Sequence, residues 1–88
     1  VLSTAHARQS AYIAVHMFKG CDYDPYFASV AEIMAKYEGR PHWGKMHFLT
    51  NEQLSRLYPR WAEFLAVRDQ LDPQRTFHND YLDQVFGK

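Results

Sequence analysis

Apolar positions along Ser10–Phe18 (SAYIAVHMF) repeat with a period of two. Ala11, Ile13, Val15 and Met17 fall on one face, and Tyr12, Ala14, His16 and Phe18 on the other. The pattern predicts a strand with two largely apolar faces. Such a strand needs cover on both sides, more than a chain this short supplies. Val1–Gln9 before it is polar and mixed and reads as a lead-in or turn, and Lys19–Asp24, with Gly20, reads as a loop. The period then changes to that of a helix. Asp24-Pro25 has the form of a start, with Asp24 as N-cap and Pro25 at the first helical position. Phe27, Val30, Met34 and Tyr37 share one stripe, and Gly39 suits the stop. Arg40–Leu49 (RPHWGKMHFL) opens as a loop at Pro41 and Gly44, and Lys45–Leu49 runs into a second short strand.

Three more helices follow. Thr50-Asn51-Glu52-Gln53 has the capping-box pattern, a hydroxyl at the cap and an amide three residues on. Leu54, Leu57 and Tyr58 give this helix its apolar side. Pro59 starts the next, with Trp61, Phe64, Leu65, Arg68 and Leu71 on one stripe and Asp72-Pro73 at its end. Asn79 or Asp80 caps a last short helix that turns Tyr81, Leu82, Val85 and Phe86 inward before Gly87. The predicted class is α+β, short strands flanked by about four helices.

Composition narrows the function classes. Ten basic and ten acidic residues cancel in an 88-residue chain, and no Lys/Arg stripe is present, so nothing draws it toward nucleic acid. An apolar fraction of 47% argues against disorder. Cys21 is the single cysteine, which excludes an internal disulfide and fits a reducing compartment. No apolar run approaches the roughly 18 residues that a membrane helix requires, and Val1–Arg8 lacks the layout of a secretory signal.

The segment His42-Trp43-Gly44-Lys45-Met46-His47 is the densest in chemistry. Trp43 can stack on a ring, Gly44 allows close backbone approach, and a lysine against an apolar wall can serve an anionic centre. The same residues equally make a tight turn with Trp43 in the core and the others solvated. Five histidines raise zinc as a rival, but His42 and His47 lack a Cys pair or a His-Glu-x-x-His helix, so no metal site is assigned. His16 in its apolar setting reads as a hydrogen-bonded core residue or as a functional one. No Ser-His-Asp or Cys-His order and no Gly-rich phosphate loop is present.

Gly39-Arg40-Pro41-His42-Trp43-Gly44-Lys45-Met46-His47 resembles the HWGK/HWAK signature of the aldonolactone oxidoreductases, the gulonolactone, arabinonolactone and galactonolactone oxidases or dehydrogenases, with alditol oxidases as relatives. Tyr58-Pro59, Phe64 through Arg68, Leu71-Asp72-Pro73, Phe77-x-Asn79-x-Tyr81-Leu82 and Val85-Phe86 resemble the family's C-terminus in order and spacing. The likeness runs from about Ser10 to Phe86.

The resemblance implies a two-domain flavoprotein of the vanillyl-alcohol-oxidase type. Residues 1–88 would be the C-terminal part of its substrate (cap) domain, and the N-terminal FAD-binding domain, absent from this chain, would be its partner. The implied cofactor is FAD. The implied reaction is oxidation of an arabinono- or gulono-1,4-lactone by hydride transfer to flavin N5, giving a ketolactone that enolises toward an ascorbate-like product. Lys45 matches the lysine that faces the flavin as charge develops on it, and His42 a histidine lining the same pocket as catalytic and substrate-binding residue. His16 matches a substrate-facing histidine of alditol oxidases. Where those relatives carry Thr two residues later, this chain has Phe18, which favours a lactone over a polyol. Trp43, His47 and Asn79 complete the implied cofactor-binding set. The family's Glu-x-Arg pair and its flavin-attachment residue would lie upstream. Alternatives are an alditol oxidase, or a helical interaction module without redox chemistry. Self-association through the doubly apolar strand is a further expectation, and the parent would be cytoplasmic or membrane-associated.

Overall fold

Apolar side chains from three short helices converge on one cluster, and it lies almost entirely in the second half of the chain. The structure, a computed structural model, describes all residues from Val1 to Lys88. It contains helices α1 (Asp24–Lys36), α2 (Asn51–Leu57), α3 (Trp61–Leu71) and α4 (Asp80–Phe86), and no β-strand. Leu54 of α2, Tyr58 after it, Trp61 of α3 and Val85 of α4 are buried. Leu2, Trp43, Leu49, Leu57, Leu65, Leu82 and Phe86 pack around them. Full burial of such a side chain contributes about 1.5–3 kcal/mol. The molecule is a slab of 42 × 31 × 17 Å. No helix is long and apolar enough to cross a membrane.

The α+β class read from the sequence is therefore corrected: the helices form, the strands do not. Ser10–Phe18 is extended and mostly exposed, with Tyr12 and Ile13 each 71% and Phe18 87% accessible. The period-two pattern selects an extended backbone, but a strand is made by its ladder of N–H···O=C bonds. Residues 10–17 make no backbone–backbone hydrogen bond to any other segment. Lys45–Leu49 also remains unpaired, and the Leu49 N–H is taken by the His47 ring at 3.2 Å rather than by a neighbouring strand.

Helix ends follow the sequence with small shifts. α1 is capped at Tyr23, and its Asp24 N–H bonds the Asp22 carboxylate at 3.3 Å, so Asp22 does the work expected of Asp24. At its C-terminus Glu38, not glycine, takes the left-handed conformation (φ 55°). The Gly39 N–H closes onto the Met34 carbonyl at 2.9 Å and the Glu38 N–H onto Ala35 at 3.2 Å, a Schellman closure. Gly39 is needed for room: a Cβ there would stand 3.1 Å from the Met34 carbonyl oxygen. The Thr50 N–H donates to Gln53 Oε1 at 3.0 Å, as the capping-box spacing predicts.

One arginine ties the first residues to the core. Arg40 Nε donates to the Leu57 carbonyl at 2.9 Å, and its Nη1 reaches the His6 carbonyl at 2.6 Å and Thr4 at 3.3 Å. Nη1 also reaches the Ser3 carbonyl at 3.5 Å, and the guanidinium lies 4.6 Å over the Tyr58 ring, so the planar fork serves four carbonyls and an aromatic face at once. This places Leu2 beside the indole of Trp43.

Candidate functional site

The segment dense in chemistry is a turn standing on the core. The Lys45 N–H returns to the His42 carbonyl at 3.1 Å, and the Gly44 N–H donates to His42 Nδ1 at 3.0 Å. Trp43 points inward. Its indole lies nearly parallel to Trp61 (centroids 6.2 Å, 16°), tilts against Tyr58 at 5.5 Å and Phe86 at 6.0 Å, and donates Nε1–H to the Leu2 carbonyl at 2.9 Å. With its ring inside this cluster and its only donor used, Trp43 serves as the root of the turn. His42 and Lys45 project at its exposed tip. The Lys45 ammonium has no carboxylate partner among the ion pairs of the chain.

The far side of the turn is closed by α4. Tyr81 Oη donates to the Trp43 carbonyl at 2.8 Å and lies 3.0 Å from His47 Nε2. His47 Nδ1 accepts from the Leu49 N–H at 3.2 Å. A neutral imidazole accepting at Nδ1 carries its proton on Nε2. The chain of donors is therefore His47 Nε2–H to Tyr81 Oη–H to the Trp43 carbonyl. The same rule gives neutral His42 an outward Nε2–H, because its Nδ1 accepts from Gly44.

Of the residues singled out in the sequence, His42, Trp43, Lys45 and His47 are brought together in this turn. Asn79 acts one step away: its Oδ1 accepts from the Leu82 N–H at 2.9 Å and caps α4, the helix that carries Tyr81. His16 stands in the exposed extended segment and shares no hydrogen bond with the turn residues. The structure groups no three His, Cys, Asp or Glu side chains in metal-binding geometry.

Two residues that sequence reasoning treated as packing or as a helix stop carry polar work. The apolar stripe of α4 predicts Tyr81 inward, yet its hydroxyl braces the turn. The available signal was its type, since a tyrosine at a half-exposed edge needs a partner for its hydroxyl. Asp72 ends α3, and its carboxylate accepts from the Thr76 N–H at 2.7 Å and the Phe77 N–H at 3.0 Å, organising the loop that leads to Asn79. These bonds, that to Phe77 first, hold the Asp72 carboxyl below the usual carboxylate range.

Burial pushes the His47 imidazole below its ordinary value. Its folded pKa thus lies under the unfolded one, so the stability it contributes is fully present above about pH 6.5 and is lost as pH falls through the folded pKa. Protonation would also place a second N–H at Nδ1, facing the Leu49 N–H. Thermal midpoints measured from pH 7.5 downward should fall more steeply for the wild type than for His47→Gln; parallel curves would remove His47 from this role.

Comparison with known proteins places this site in a lineage. The family model for D-arabinono-1,4-lactone oxidase matches residues 1–85. The L-gulono-1,4-lactone dehydrogenase of Mycobacterium tuberculosis (strain ATCC 25618 / H37Rv) is 54% identical over 86 residues, covering 98% of this chain. The L-gulonolactone oxidase of Mus musculus is 36% identical over 90 residues, also covering 98% of the chain. The alditol oxidase of Streptomyces sp. (strain IKD472 / FERM P-14339) is 32% identical over 84 residues, covering 92%. The chain spans only 20% of the length of each of these relatives. No solved structure gives a significant match. A match over nearly its whole length, on residues that include the turn and its brace, establishes that the chain belongs to the D-arabinono-1,4-lactone oxidase family.

Proposed function

We propose that this chain is the C-terminal part of the substrate domain of an FAD-dependent oxidoreductase that oxidises an aldono-1,4-lactone, with the FAD-binding domain supplied by the rest of the protein. The observation that carries this reading is the exposed, unpaired ammonium of Lys45, held at the tip of a turn rooted in the core by Trp43. That donor set fits FAD: a cation with no carboxylate partner of its own suits a ring edge that becomes electron-rich. When bound, FAD supplies the hydride acceptor at N5 and gathers negative charge at its N1–C2 edge. Lys45 would meet that charge with FAD in place, and a cation there counts most in the transition state, as charge develops. His42, whose neutral form presents Nε2–H outward, donates to and orients the substrate oxygen; this tautomer favours orientation over proton abstraction. Trp43, His47 and the Asn79-capped α4 set the geometry of the two.

Identity to relatives named as gulonolactone oxidase and gulono-1,4-lactone dehydrogenase supports a lactone substrate. The relative named as an alditol oxidase supports a polyol instead, and the apolar Phe18 beside the His16 position speaks for the lactone. Anaerobic mixing of the full-length protein with a panel of aldono-1,4-lactones and alditols separates them. Lactones should bleach the flavin absorbance with saturating rates. Bleaching by alditols alone would replace the substrate, and bleaching by neither would overturn the reading.

A further inference from the structure

The proposed function gives the geometry of the tip to Trp43, His47 and α4 without naming the group that joins them. The brace is specific. Tyr81 is the only side chain that bonds both limbs of the turn, the Trp43 carbonyl at 2.8 Å on one limb and His47 Nε2 at 3.0 Å on the other. The His47 ring stands edge-on to Tyr81 with centroids 5.7 Å apart. The Leu49 N–H fixes the ring's other nitrogen, so its orientation is set from two directions. Lys45 lies between the two braced residues. Its backbone is held by only one other bond, from its own N–H to His42, and that bond defines the turn without attaching it to the helices.

We infer that Tyr81 is a positioning residue for the cation and the histidine at the tip: its hydroxyl, linking Trp43 and His47, fixes where Lys45 and His42 stand. The inference rests on the proposed function, and it assigns a role to a residue of α4 that need touch neither flavin nor substrate. The directions of donation make the link one unit. His47 gives its proton to Tyr81, and Tyr81 gives its own to the Trp43 carbonyl, so loss of either member releases the other. Desolvation lowers the His47 imidazole and raises the Tyr81 phenol, and both directions favour the forms that donate in this order.

The test uses the full-length flavoprotein and the variants Tyr81→Phe, His47→Gln, their combination, and Lys45→Ala. Tyr81→Phe keeps the ring and removes only the hydroxyl. A reactive centre displaced by a fraction of an ångström loses rate rather than binding, so the limiting rate of flavin reduction should fall about tenfold with KM changed less than about threefold. The midpoint potential of the bound flavin, read by dye equilibration without turnover, should move negative in Tyr81→Phe, in the direction of Lys45→Ala and by less. The double variant should be no worse than the more impaired single one, as for two members of one link. Additive losses, or a Tyr81→Phe potential unchanged while that of Lys45→Ala moves, would overturn the positioning role and leave the proposed function standing. An unmoved potential in Lys45→Ala would overturn the assignment of Lys45 itself. If Tyr81→Phe does not fold, the potential and rate of His47→Gln, which breaks the link from the other end, decide the matter by the same criteria.

Discussion

Lys45→Ala should lower the rate of flavin reduction by lactone in the full-length protein by a factor of roughly 10²–10³, the loss that follows removal of one preorganised donor to a developing anion. Lys45 is exposed and has no ion-pair partner, so the substitution touches no packing. Thermal stability should stay within about 0.5 kcal/mol of wild type. The loss should appear in the limiting rate more than in KM, because the cation matters most after charge has begun to move. Lys45→Arg restores charge with a longer, planar head and should recover only part of the rate. Stopped-flow absorbance separates binding from reduction, and a limiting rate equal to wild type would defeat the role given to Lys45.

The helices were legible because each has a local code. The cap Asn79, the Gln53 amide opposite Thr50, and the stripes through Trp61 and Val85 act within a few residues of themselves, and they form where spacing puts them except at two edges: Leu71 is 78% exposed, and Tyr81 lies outside the core. The strands were not legible as strands because pairing is not local. Ser10–Phe18 carries a real period-two pattern, yet the ladder that would complete it needs a partner segment that residues 1–88 do not place beside it. The site was legible in part for the same reason. His42, Lys45 and His47 are marked by type and proximity, and the fold brings them into one turn. Trp43 is half-buried against the core, while Lys45 and His42 stand at the exposed tip. Tyr81 is distant in sequence from the turn it braces, and only folding shows the connection. Asp72 and Asn79 accept from backbone N–H groups, so they shape a loop and a helix start in this chain.

Packing and function meet at Trp61, and its removal should have the largest effect on stability. Trp61 is 4% exposed, stacks on Trp43, tilts against Phe86 at 5.3 Å and Tyr58 at 5.8 Å, and donates Nε1–H to Asn51 Oδ1 at 2.9 Å. Trp61→Ala should cost about 3–5 kcal/mol, the range for deleting a buried aromatic and leaving a cavity. Trp61→Phe keeps much of the contact area but strips Asn51 of its donor, and should cost about 1–3 kcal/mol. Leu71→Ala on the same helix is a control: Leu71 is 78% exposed, and its loss should stay within about 0.5 kcal/mol. Urea denaturation midpoints of the three variants order these costs. Trp61→Phe should also weaken the root of the turn, because the inner face of Trp43 rests on this ring. Flavin reduction in Trp61→Phe should therefore slow at temperatures well below unfolding, whereas Leu71→Ala reduces flavin at the wild-type rate. If Trp61→Phe lost stability but kept the full rate, the turn would hold its shape without the core beneath it, and the brace from α4 would be sufficient alone.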